Sequence, residues 1–259
     1  DLHFACEEIL NKSKPLWKKF RQREYFFDDL FVSFLNKLSD TIEGEIELVF
    51  NGDTFDFDSV TNIPKNPRFR VSIVEHLRGL NSSEPKSIYK IIKILSDHKV
   101  FVYGLSDFVK KGNKIVFVVG NHDLELHWPE VRELIVKQMN LENTLCENII
   151  FYNWFYLSNE DTLIEHGQQY DSYSMNPNPF NPFIKVRSEV RVKIAFGNLA
   201  HRFMMNGMGY FNPHLDHFYI MSFWEYIRVF FKFMIFKQPF LIYTWFFGAL
   251  ATLFVSFRD

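Results

Sequence analysis

Polar clusters placed where strand-forming runs stop constrain this chain more than any other feature. Residues 45–50 form a short apolar run that breaks at Asn51-Gly52-Asp53. Residues 114–119 form a second, which breaks at Gly120-Asn121-His122-Asp123. Residues 162–165 lead into His166-Gly167, and the chain opens on Asp1-Leu2-His3. A further strand is expected over 149–156, and helical spacing of apolar residues marks 16–38, 85–109 and 128–139. Alternating strands and helices, closed by two strands, predict a layered α/β domain. In open α/β sheets, sites assemble at the carboxyl ends of strands, where all four clusters fall. Glycine permits the tight turn that points a carboxylate or imidazole back over a strand end. One Gly-Asp or His-Gly alone is ordinary turn chemistry; four at strand ends form a joint signal. Asp, Asn and His together offer hard oxygen and imidazole ligands suited to Mn, Fe or Zn.

In this order the clusters resemble the motifs of the calcineurin-like metallophosphoesterases: Asp-x-His, Gly-Asp, Gly-Asn-His-Asp/Glu, His, then Gly-His-x-His. The first four span roughly residues 1–170, and Gly120-Asn121-His122-Asp123 is the most specific match. The resemblance implies a β-sandwich flanked by helices and a hydrolase using two divalent metal ions, with Mn first and Fe or Zn as alternatives. It assigns Asp1 and His3 to one metal, Asp53 as the bridge, and Asn121 and His166 to the second. It makes His122 a catalytic acid or oxyanion stabiliser beside the scissile phosphate, oriented by Asp123. Two cations clamp a phosphate and acidify a bound water, and a bridging carboxylate offsets their repulsion. The fifth motif is absent from residues 1–259. The opening without Met and the abrupt end lead to the expectation of a piece cut from a longer protein. Its missing motif, and a second hydrophobic segment, would then follow Asp259. The rival reading lets His214 and His217 substitute. His76, His98, His127 and His201 lack a supporting cluster and are expected to be structural or exposed.

Charge divides the chain. Of its 29 basic and 31 acidic residues, 20 and 27 fall in 1–179, against 9 and 4 in 180–259. A net charge of −2 argues against binding nucleic acid by charge alone, so none is expected as a partner. Residues 238–257 contain no charge, and twenty helical residues span roughly 30 Å, the thickness of a bilayer core. A buried core helix is the bland reading; the uncharged length favours a transmembrane helix. Residues 218–236 are aromatic but carry Glu225, Arg228 and Lys232, which suits an interfacial helix. The chain therefore divides into a catalytic core (1–175), a basic aromatic linker (176–237) and a candidate membrane helix (238–257). Two cysteines, Cys6 and Cys146, fit a reducing compartment. The expected location is membrane-associated, with the catalytic domain on the cytoplasmic face.

Lys12, Lys14, Lys18, Lys19, Arg21 and Arg23 form a basic run. It is either a solvated helix face or a contact for an anionic headgroup. Gln168, Tyr170 and Asp171 either line a substrate pocket or simply build their loop. The expected substrate carries a phosphoester, phosphodiester or pyrophosphate and is nucleotide-like or lipid-linked. The chain is in part similar to the UDP-2,3-diacylglucosamine hydrolases, which often carry Arg where this chain has His122. A non-catalytic membrane module and a protein phosphatase of the same superfamily are the alternatives.

Overall fold

The computed structural model describes residues 1–10, 12, 17–207, 209, 224, 227–228, 231–232 and 240–258. Its centre is a parallel sheet of three strands, β1 (Glu47–Asn51), β2 (Lys114–Val118) and β3 (Ile149–Tyr152), in that spatial order. Residues alternate between the faces of a strand, and the sequence uses both. Ile115 and Phe117 enter the main core with Phe50 and Ile149, while Val116 and Val118 enter a smaller core with Val49 and Tyr152. The parallel register sets Phe50 beside Phe117 and Phe117 beside Phe151. Their rings stack with centroids 4.8 and 4.9 Å apart, a ladder across all three strands.

Helices cover the face of the main core: α1 (Asp28–Thr41), α3 (Glu84–Asp97), α4 (Lys99–Lys110) and α5 (Pro129–Gln138). The short helix α2 (Ile73–Arg78) precedes α3 and carries a capping box, Ser72 with Glu75. A second short helix, α6 (Asn143–Cys146), precedes β3. The smaller core is closed by the hairpin β4 (Phe155–Ser158) and β5 (Thr162–Glu165) through Tyr156 and Ile164. A further hairpin, β6 (Phe183–Val186) with β7 (Glu189–Val192), leads to α7 (Phe196–Phe203). The last described helix is α8 (Phe240–Arg258), packed against α7. A Cβ on Gly248 would lie 2.7 Å from the Phe203 carbonyl oxygen, so glycine sets the approach of these two helices.

The α/β expectation holds. In place of a full second sheet, the described residues have only the β4–β5 hairpin on the far face. The helix expected over 16–38 begins only at Asp28, because the chain is extended at Gln22 and Phe26 between short 3-10 turns. The run 85–109 is two helices, broken at His98, whose ring is held by the Asp28 carboxylate at 2.9 Å and the Ala5 carbonyl at 2.7 Å. Among the described residues no helix is long and apolar enough to cross a membrane. The span expected over 238–257 is thus not found: residues 238 and 239 lie outside the description, and the rest belong to α8. His214, His217, Lys14 and most of the interfacial segment 218–236 also lie outside the described residues.

Candidate metal centre

Asp53, Asn121 and His166 are carried by the turns that follow strands, and Asp1 and His3 by the opening segment docked beside them. Asp53 follows β1 with a φ of 47°, a left-handed conformation that non-glycine residues rarely adopt. The turn places its carbonyl to accept the amides of Leu2 (3.0 Å) and His3 (2.9 Å). With the Phe4–Phe55 bridge, these bonds dock the opening segment beside the residues that follow β1. Asp1, His3 and Asp53 thereby offer three ligand atoms within 4.8 Å of one another. From β5, His166 brings Nε2 to 3.2 Å from Asp53 Oδ2 and 3.2 Å from Asn121 Oδ1. The five predicted ligands thus meet at one end of the sheet.

Two glycines make this approach possible. A Cβ on Gly52 would stand 2.4 Å from the His166 ring, and one on Gly120 2.3 Å from Asp53 Oδ1. Gly52 also has a φ of +80°, which only glycine adopts without strain.

The donor set fits divalent cations. The Nδ1 of His166 lies 2.8 Å from the Asn51 carbonyl oxygen, a contact that needs a proton on Nδ1. A neutral imidazole then has none left for Nε2, which would face the carboxylate and the amide oxygen with a lone pair. A cation resolves that arrangement, and so does a second proton. Burial pulls the His166 pKa down, but the Asp53 hydrogen bond and charge outweigh it and raise it. Burial likewise opposes ionisation of Asp53, yet the hydrogen bond from His166 and the charges of His122, His166 and His3 hold its pKa down to about 2.

The carboxylates beside His122 are not the expected one. Asp123 is fully buried and accepts the amides of Gly120 at 2.7 Å and Thr54 at 2.8 Å. It ties the loop after β2 to the loop after β1, a bracing role in place of orienting His122. The Nδ1 of His122 instead lies 3.5 Å from Asp56 Oδ1 and 4.0 Å from Asp58 Oδ2. Burial would lower the His122 pKa; Asp56, Asp53 and Asp58 overcome it and push it up to about 10. His122 also meets the His3 ring edge-on, 4.8 Å between centroids. His3, Asp56 and His122 form a second group of ligand-capable atoms within 4.8 Å.

Helix α7 adds residues that the sequence reading missed. Asn198 donates to Asp58 Oδ2 at 2.8 Å and accepts from Asn121 Nδ2 at 3.2 Å. The His201 ring lies 5.2 Å from that of His122, with Nε2 3.0 Å from Ser59 Oγ. The available signal was their spacing of three, which puts both on one helix face. Asp56 and Asp58 had a signal too, in the acidic repeat Asp53-x-x-Asp56-x-Asp58. Of the other histidines expected to be structural, His127 is buried between the carbonyls of Leu124 and Pro179. His76 is exposed.

The three expected substrate residues have local roles. Gln168 is buried and donates to the Val119 carbonyl at 3.1 Å. Tyr170 is exposed, with its hydroxyl on Glu165 at 2.7 Å. Asp171 accepts from Ser174 Oγ and the Tyr173 amide within its own loop. Searches of protein-family models, curated proteins and solved structures return no match to the chain.

Proposed function

We propose that this chain is a two-metal hydrolase of phosphoester, phosphodiester or pyrophosphate bonds. One observation carries the reading. Asp1, His3, Asp53, Asn121 and His166 come from four separate segments and converge at one end of the parallel sheet. Asp1, His3 and Asp53 would hold one cation; Asp53, Asn121 and His166 would hold the other. When bound, such a pair supplies charge for the phosphate oxygens and a nucleophilic water at neutral pH.

The remaining chemistry belongs to the side chains. His122, held as imidazolium by Asp56, gives a proton to the leaving oxygen as the phosphorus–oxygen bond breaks. Asp56 keeps the ring oriented, and Asp123 keeps the two ligand loops in register. The family's Gly-His-x-His ligands have no counterpart within residues 1–259.

The substrate is proposed to be lipid-linked or nucleotide-like and presented at a membrane surface. The exposed face of α8 supports this, since Phe246, Phe247, Phe254 and Phe257 all stand in solvent. The complete protein is assayed with Mn²⁺ on lipid-linked pyrophosphates and on soluble nucleotides. Turnover of the lipid-linked compounds supports the surface substrate. Turnover of soluble nucleotides alone contradicts it.

A further inference from the structure

A pocket that none of the expected metal ligands lines lies between α2, the β6–β7 hairpin, α7 and α8, with a volume of about 630 Å³. Six cationic side chains line it, Arg70, Lys86, Arg187, Arg191, Arg202 and Arg258, against two carboxylates, Glu75 and Glu189. The carboxylates are already engaged. Lys86 binds Glu75 at 2.7 Å and Glu189 at 3.3 Å, and Arg191 pairs with Glu189. Arg70 and Arg187 make no hydrogen bond or ion pair among the described residues.

Arg202 is the decisive residue. It is only 6 % exposed, and its Nε is buried with no hydrogen-bond partner among the described residues. One terminal nitrogen donates to the Gly79 carbonyl at 2.7 Å, and no carboxylate forms an ion pair with the side chain among the described residues. The guanidinium feels the charges of Asp58, Glu75 and Glu125 and lies over the Phe203 ring, 5.3 Å from its centroid, but none of these satisfies its buried Nε donor, a costly vacancy that an anion in the cavity would fill. Its planar fork matches the oxygens of a phosphate. Apolar lining comes from Leu199 and Phe203, which flank Arg202 on α7, and from Ala251, Phe254 and Val255 of α8.

We infer that this cavity binds a phosphate-type anion carried on an apolar group, with the phosphate at Arg202 and the apolar part along α8. The site is separate from the metal centre and does not depend on hydrolase activity. Its ligand is either a membrane lipid or a soluble phosphorylated amphiphile.

The test titrates the intact protein in chelator, which keeps phosphate off the metal centre. The probes are dihexanoyl phosphatidate, dihexanoylglycerol and inorganic phosphate, read by calorimetry. Phosphatidate is expected to bind at one per chain, at least tenfold more tightly than inorganic phosphate, and dihexanoylglycerol not at all. Arg202→Gln should weaken phosphatidate at least tenfold. Should that variant not fold, the exposed pair Arg70→Ala/Arg187→Ala should still weaken it severalfold. Absence of saturable phosphatidate binding overturns the inference. So does equal affinity for inorganic phosphate, or affinity unchanged in the folded variants. Co-sedimentation with phosphatidate vesicles, lost in the same variants, identifies a membrane lipid as the source; binding of the monomeric probe alone identifies a soluble one.

Discussion

The backbone amide of His122 donates to Oδ1 of Asp53 at 2.8 Å. That bond fixes one carboxylate oxygen and turns the other, Oδ2, toward the Nε2 atoms of His166 (3.2 Å) and His3 (3.8 Å). Asp53 is therefore held with Oδ2 free to face both imidazoles, the pose that the proposed bridging role would need. The cost is a left-handed backbone at Asp53 and two glycines that leave no room for a side chain. Such preorganisation explains why these turns are built from Gly-Asp and Gly-Asn-His-Asp rather than from generic loop residues.

Adding one methyl group tests that packing. In Gly120→Ala the new Cβ would press on the Asp53 carboxylate and its backbone nitrogen, at 2.3 and 2.5 Å. Mn²⁺ affinity should fall by about 10- to 100-fold, the usual effect of disturbing a ligand's support. Calorimetry measures it, with circular dichroism confirming a retained fold.

Proton donation by His122 predicts a specific pH profile. His122→Gln should lower turnover by about 10²- to 10⁴-fold without removing bound metal. Asp56→Asn takes away the carboxylate that most favours the imidazolium, so the His122 pKa falls from about 10. Activity that needs the protonated ring is then lost at lower pH than in the wild type. The alkaline limb of the pH–rate curve should shift downward, whereas a merely structural Asp56 leaves it in place.

Acid stability should depend on Glu75. Burial opposes its ionisation, but the Lys86 hydrogen bond and the Ser72 and Asn81 amides hold its pKa down to about 2, from an ordinary 4.5. A depressed carboxyl stabilises the fold above its unfolded pKa, and that contribution disappears as pH falls from about 4.5 towards 2. For a half-screened group it is about 2 kcal/mol. Denaturant melts of Glu75→Gln should show a flatter dependence on pH across that window.

The phenylalanine ladder should dominate stability. Phe117 is fully buried and stacks on both Phe50 and Phe151. Phe117→Ala should cost about 3–5 kcal/mol, read from the midpoint of urea unfolding.

Strand ends were legible because two physical signals coincide there. An apolar run of five or six residues needs a sheet, and the Gly-Asp or Gly-Asn-His-Asp that follows needs a turn. That pairing located Asp53, Asn121, His122 and His166 without any tertiary information. Asp123 was misread because its neighbour in sequence is not its partner in space: its carboxylate reaches Thr54, 69 positions away. Asn198 and His201 carry only the weak signal of a spacing of three, on a helix with no motif that follows a proline-rich loop, and nothing in the sequence ties that helix to His122. The break at His98 was hidden because α3 and α4 share one continuous apolar period; only the buried Asp28 contact marks it. The uncharged length of 238–257 points to a membrane span, whereas among the described residues no helix is long and apolar enough to cross a membrane, and part of that segment is α8, packed against α7.

The most direct test of the metal centre is Mn²⁺ binding and turnover of a chromogenic phosphodiester, measured side by side on the intact protein and on Asp53→Asn. Two Mn²⁺ per chain are expected in the wild type, with turnover abolished by chelator. Asp53→Asn should lose both the second ion and the turnover while keeping its fold. Folded wild-type protein that binds no Mn²⁺, or an Asp53→Asn variant that binds two ions and turns over like the wild type, would contradict the account.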